Sequence, residues 1–156
     1  MSVKPLTAVV SGRQIELDSL ELPAVLIFHG RKSAAAAPAL QRAIRAEHPD
    51  AAELIVASVV DLSRVPRLFR RFAGPAMEEG YARAAAGLPR GVRAEDYVLI
   101  LPDWDGAAAR FFRVVRAAGE AVAAVVAPGG RVVGKSPAAD LERIFELIAE
   151  VRARGS

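Results

Sequence analysis

The chain has 156 residues, 53% of them hydrophobic and 25% charged, with 21 Lys and Arg against 18 Asp and Glu. That length suits one domain, 1–156, burying about two-thirds of the unfolded chain's surface. The apolar content excludes a disordered tail, and no apolar run approaches the ~20 residues needed to span a bilayer. There is no cysteine, which removes disulfides, thiolate zinc sites, iron–sulfur clusters and every sulfur-nucleophile mechanism.

In chain order, residues 7–10 and 14–17 predict a short strand pair turned at Ser11-Gly12-Arg13, where Gly12 supplies a permissive backbone. Residues 24–29 form a continuous apolar run ended by Gly30, the pattern of a central strand buried on both faces. Ser33 then reads as the N-cap of a helix with Leu40 and Ile44 on its apolar face. Pro38 falls in the second turn of that helix, where it would remove a donor, and His48-Pro49-Asp50 is the stop. Residues 53–60 predict the next strand, ending at Asp61. A helical period follows, with Val65, Leu68, Phe69 and Phe72 on one stripe and Arg64, Arg67, Arg70 and Arg71 on the opposite side. Gly74-Pro75 is expected to interrupt it before a second helix over 76–86, which stops at Gly87-Leu88-Pro89.

Residues 97–101 predict another buried strand, closed by the turn Pro102-Asp103-Trp104-Asp105-Gly106. A short helix over 107–117 follows, with Phe111, Phe112 and Val115 as its apolar face. Residues 121–127 and 131–134 predict a hairpin across Pro128-Gly129-Gly130. Ser136 caps the last helix, Pro137 takes its first position, and Leu141, Ile144, Phe145, Ile148 and Val151 make its core stripe. Strand–helix alternation demands parallel pairing with right-handed crossovers, and the late hairpin adds antiparallel strands. The fold class is therefore α/β: a central mixed sheet with helices on both faces and an N-terminal β-hairpin.

This order and several local motifs resemble the thioredoxin-like superfamily, in particular its redoxin branch of peroxiredoxins and related thiol–disulfide oxidoreductases. The segment from Ser11-Gly12-Arg13-Gln14 to Leu17-Asp18-Ser19-Leu20 resembles the branch's opening hairpin and Asp/Ser-Leu turn. Residues 24–28 match the strand before the redox site. Asp103, Gly106 and the aromatic pair Phe111-Phe112 resemble its Asp-x-x-Gly segment and aromatic helix. Val125-Val126-Ala127-Pro128-Gly129-Gly130-Arg131-Val132-Val133 resembles its apolar, Pro-x-Gly-Arg/Lys, apolar hairpin. The resemblance implies a thioredoxin-like three-layer sandwich.

It also implies two residues that are missing. The family's reactive cysteine sits about five residues after the Phe ending that strand, at a helix N-terminus that stabilises thiolate. Counting from Phe28 lands on Ser33, followed by Ala34-Ala35-Ala36 where a Cys-x-x-Cys motif would end. A serine hydroxyl ionises too weakly to reduce a peroxide and cannot form a disulfide. The family's cis-proline falls on Ala121 or its neighbours, where there is no proline, and a non-proline cis bond would cost about 2.5–4 kcal/mol. The resemblance thus implies a redox-inactive member.

The loop His29-Gly30-Arg31-Lys32-Ser33 lies at the carboxyl end of a central strand, where ligands settle in open α/β sheets. Two cations, a hydroxyl and backbone amides suit a carboxylate or phosphate, with His29 as acid/base and Arg31 or Lys32 as anion clamp. The plainer reading is a solvated loop whose serine caps the helix. His29 and His48 are the only histidines and lack metal-ligand spacing, so no metal is expected. Asp103 to Gly106 starts like a calcium loop, but the ligand pattern stops there, and Asp103 or Asp105 reads as a helix cap. Trp104 is expected to be partly exposed. Arg110, Arg113 and Arg116 make a second basic stripe beside that at 64–71; both read as solvated faces.

The expected function is a protein-binding or scaffold module without thiol chemistry; the alternative is small anionic-ligand binding or non-thiol enzyme activity at His29–Ser33. The expected partners are another protein or a second copy of the chain as a homodimer, with no cofactor, no nucleic acid and no membrane. The opening segment lacks a signal peptide's long apolar core, so a cytoplasmic location is expected.

Overall fold

The computed structural model describes residues 3–115 and 119–154. Strands β1 (Leu6–Thr7) and β2 (Gln14–Ile15) pair antiparallel as a small hairpin. The main sheet contains β3 (Ala24–His29), β4 (Ile55–Asp61), β5 (Leu99–Asp103), β6 (Val122–Val126) and β7 (Val132–Pro137), in the order β5-β4-β3-β6-β7. The pairs β3–β4 and β4–β5 are parallel, whereas β3–β6 and β6–β7 are antiparallel. Helices α1 (Ala36–Glu47), α2 (Arg70–Ala86), α3 (Ala94–Tyr97), α4 (Ala107–Phe111) and α5 (Leu141–Arg154) connect or follow the strands.

All six residues of β3 are buried, because the strand is central and covered on both faces. The strand's alternation sorts its side chains between two cores. Val25 and Ile27 pack with Leu40 and Ile44 of α1 and with Ile144, Leu147, Ile148 and Val151 of α5. Leu26 and Phe28 pack on the other face with Ile15, Leu17, Leu20, Ala108 and Phe112. The Phe28 and Phe112 rings lie 6.1 Å apart, and Phe111 meets Phe112 edge-on at 4.9 Å. The mixed sheet, the hairpin and the coverage of both faces agree with the sequence reading.

Several boundaries differ, each for a local reason. α1 begins at Ala36 rather than after Ser33, so Pro38 is its third residue. There its missing N–H belongs to a group that has no partner within the helix anyway, and no bend is needed. Gly74-Pro75 does not divide the next helix: Pro75 lies inside α2. It is exposed, so the Arg71 carbonyl that lost its donor faces water rather than a core. Leu68 and Phe69 fall in a short 3-10 turn, Arg67–Phe69, before α2. They and Phe72 are exposed rather than core, and no residue of α2 is buried.

Tyr97 ends α3 instead of opening a strand, and β5 runs through Pro102 to Asp103. Pro102 is tolerated because β5 is the sheet's edge, where a ladder donor can be spared. α4 ends at Phe111, and Arg113 adopts a left-handed φ of 54°. Val115 is therefore exposed, the basic stripe of Arg110 and Arg113 does not form, and the end of the predicted helix, with Arg116, lies outside the described residues. β7 extends through Ser136 and Pro137, which cannot then start the last helix. Asp140 takes that role: its carboxylate accepts the Arg143 N–H at 3.1 Å.

Candidate functional site

The turn at residues 30–35 joins the carboxyl end of β3 to α1. Ser33 is buried, and its Oγ accepts the Gly30 N–H at 3.1 Å. The hydroxyl thus closes the turn backwards, and Ala35, the N-cap of α1, gives the helix no side-chain cap. Backbone bonds from Ala34 N–H to the Arg31 carbonyl and from Ala36 N–H to the Ser33 carbonyl wind this turn into the helix. His29 is buried at the strand end; its Nδ1 lies 3.1 Å from the Gly30 carbonyl, which can only accept, so Nδ1 carries the proton.

The four loop residues do not converge on one point. Lys32 and Ser33 line an open cleft of about 350 Å³ together with Ala36, Glu120, Ala121 and Pro137. His29 and Arg31 do not line it, and Arg31 is exposed. The cleft therefore joins the start of α1 to the entry of β6, bringing Ser33 and Ala121 to one place although 88 positions separate them (121 minus 33). The Ala121 carbonyl accepts the Ala138 N–H at 2.9 Å, which holds this wall. No cis peptide occurs among the described residues. Small side chains, one ammonium, one carboxylate and one hydroxyl make up a lining that holds no thiol.

At the same carboxyl end of the sheet, on the edge strand β5, Asp103 is fully buried and accepts the Ala108 N–H at 3.3 Å and the Ala109 N–H at 3.2 Å. Burial pushes its carboxyl above the usual carboxylate range, partly offset by those two amides. Asp105 accepts the Ala107 N–H at 3.1 Å. Both acids cap α4, as their sequence position suggests, and no group of acidic or histidine side chains that could hold a metal forms among the described residues.

Sequence reasoning missed one charged constellation. Arg152 of α5 donates to His48 Nδ1 at 2.6 Å and to Glu53 at 2.6 Å, and His48 stacks on Phe145. Arg45 sits over the Tyr97 ring at 5.1 Å, donates to the His48 carbonyl, and leaves its Nε and Nη2 without hydrogen-bond partners. Burial lowers both the Arg45 guanidinium and the His48 imidazole from their ordinary values, and the Arg152 charge lowers His48 further. Only the fold unites positions 45–53 with 97 and 152; no spacing in the chain announces them. A second cleft, lined by Ser11, Arg13, Arg93, Glu95 and Asp96, is filled with ion pairs, including Arg13–Asp96 at 3.7 Å and Arg93–Glu95.

Solved structures share this architecture. The exposed lipoprotein thioredoxin Etrx1 of Streptococcus pneumoniae superposes with a TM-score of 0.64 at 18% identity, covering 94% of this chain and 97% of its own. The fold is thioredoxin-like. A secreted Mycobacterium tuberculosis disulfide oxidoreductase homologous to DsbE gives a TM-score of 0.58 at 16% identity, with 94% of each chain covered. Peroxiredoxin Q of Xanthomonas campestris gives 0.57 at 18% identity, with 97% of this chain and 92% of its own covered. No protein-family model and no curated protein matches the sequence. These neighbours are redoxins, whereas this thioredoxin-like chain has no cysteine with which to perform thiol chemistry. No helix among the described residues is long and apolar enough to cross a membrane.

Proposed function

We propose that the protein is a redox-inactive thioredoxin-like module that binds or scaffolds another protein. The observation that carries this reading is the cleft between Ser33 and Ala121. It keeps the frame of a redox site, with a buried side chain at a strand–helix turn facing the start of β6, but holds a hydroxyl tied to Gly30 N–H where a thiolate would sit. An open cleft with a small-residue lining and two charges at its walls accepts a surface loop or an extended segment of a partner. A photo-crosslinker at position 32 tests this: it should trap the same protein in repeated experiments, and one at Glu150 on α5 should not. Catalytic insulin reduction or peroxide consumption by the pure protein would overturn the reading. A cytoplasmic location goes with this proposal and is tested by cell fractionation, since the solved neighbours include exposed and secreted proteins.

The second reading, a small anionic ligand at the same loop, is supported by the Lys32 ammonium lining the cleft beside the α1 terminus. Ser33 is engaged with the turn and His29 is away from the cleft, so the reading rests on Lys32. A thermal-shift panel of phosphate and carboxylates should give a stabilisation that Lys32→Ala removes; no shift with any of them would dismiss it.

A further inference from the structure

We propose that the corner formed by residues 64–72 and Trp104 is a peripheral contact for an anionic lipid surface. Leu68, Phe69 and Phe72 are 71%, 53% and 57% exposed, although their spacing puts them on one helical face. Such a stripe ordinarily marks a core, yet α2 buries none of its residues. Trp104, the only tryptophan, is 38% exposed and lies beside the same corner, with the Arg70 guanidinium 5.9 Å from its ring. The Arg71 guanidinium lies 4.9 Å from the Phe72 ring.

Charge complementarity selects the occupant. Residues 62–77 contain Arg64, Arg67, Arg70 and Arg71 and no acidic residue. None of the ion pairs among the described residues involves these four arginines. Exposed aliphatic and aromatic side chains flanked by guanidinium groups without carboxylate partners, of which Arg70 donates to the Val65 carbonyl at 3.2 Å, match the interface of a bilayer carrying anionic headgroups, where rings enter the acyl boundary and cations stay among phosphates. A docked peptide would instead need a groove, and neither of the two clefts described above is lined by residues of this corner. No spanning helix is needed for such contact.

Trp104 supplies its own readout. With vesicles of 30% phosphatidylserine in phosphatidylcholine, its emission should shift to the blue and the protein should sediment with the lipid. Partition should be roughly tenfold or more above that on pure phosphatidylcholine, and should weaken with salt. The double variant R67E/R71E should lose about tenfold or more of this partition. F69S/F72S should lose the sedimentation, and both variants should melt as the wild type does because the side chains are exposed. Equal partition on the two vesicles, or an unshifted Trp104, would overturn the proposal. A blue shift with polyglutamate and none with vesicles would also overturn it, in favour of an acidic protein partner.

Discussion

His48 shows how burial and one neighbour fix a protonation state. Arg152 can only donate, so the 2.6 Å contact requires a lone pair on His48 Nδ1 and hence a neutral ring. The folded imidazole therefore titrates below its ordinary value of 6.5, first because it is partly buried and then because Arg152 repels its charge. The unfolded chain binds the proton first as pH falls, so this contribution is complete above about 6.5 and is lost as pH drops through the lower folded value. Melting temperature should accordingly fall between pH 7 and 5, and H48Q should flatten that slope; an unchanged slope would contradict the assignment. Asp103 acts with the opposite sign. Its folded pKa is raised, so protonation between that value and 3.8 relieves a buried charge and stabilises the fold. Removing the side chain is different, because two amides lose their acceptor. D103A should cost about 1–3 kcal/mol in denaturant unfolding at neutral pH.

Among the elements, those with a strong period were legible in the sequence and those set by tertiary context were not. The six-residue run of β3 is core throughout, and so are Ile144, Ile148 and Val151 of the α5 stripe, whereas Leu141 at the helix start is exposed and Phe145 half-buried. Leu68, Phe69 and Phe72 have the same local signal as α5 but no sheet face left to cover, since α1 and α5 occupy one face and the hairpin with α4 the other. Periodicity reports that a face is apolar, not what it meets. The Pro75 break and the Ser136 cap failed for a related reason: local preference yielded to an exposed helix and to a longer edge strand. With no residue buried, α2 should be the least protected of the longer helices. Hydrogen exchange should label its amides well before those of α1 and α5, and comparable protection would contradict the exposed placement. The β6–β7 turn is held more tightly. Gly130 has φ of +91°, and a Cβ there would come within 2.9 Å of the Asp18 backbone, next to the Gly129 N–H bond to Leu20. G130A should destabilise by about 1–3 kcal/mol, read from its denaturation midpoint.

At the scale of the whole molecule, a chain sharing only 16–18% identity with three redoxins superposes on them over 94–97% of its length, and in this chain Ser33 and Ala121, at the entry of β6, line one cleft. The position of Ser33 was legible by counting from Phe28, and so was the absence of cysteine. The convergence with Ala121 was only implied by resemblance, and the dispersal of His29 and Arg31 away from the cleft was not legible at all, since side-chain direction at a turn depends on hydrogen bonds such as Gly30 N–H to Ser33 Oγ. The central claim is that the frame of a thiolate site outlasts its reactive atom. S33C tests it: the new thiol would accept the Gly30 N–H beside the α1 terminus, and both interactions favour the anion. Its pKa, measured as the pH dependence of iodoacetamide alkylation, should lie clearly below the ~8.5 of a free cysteine. A value at or above ~8.5 would contradict the account.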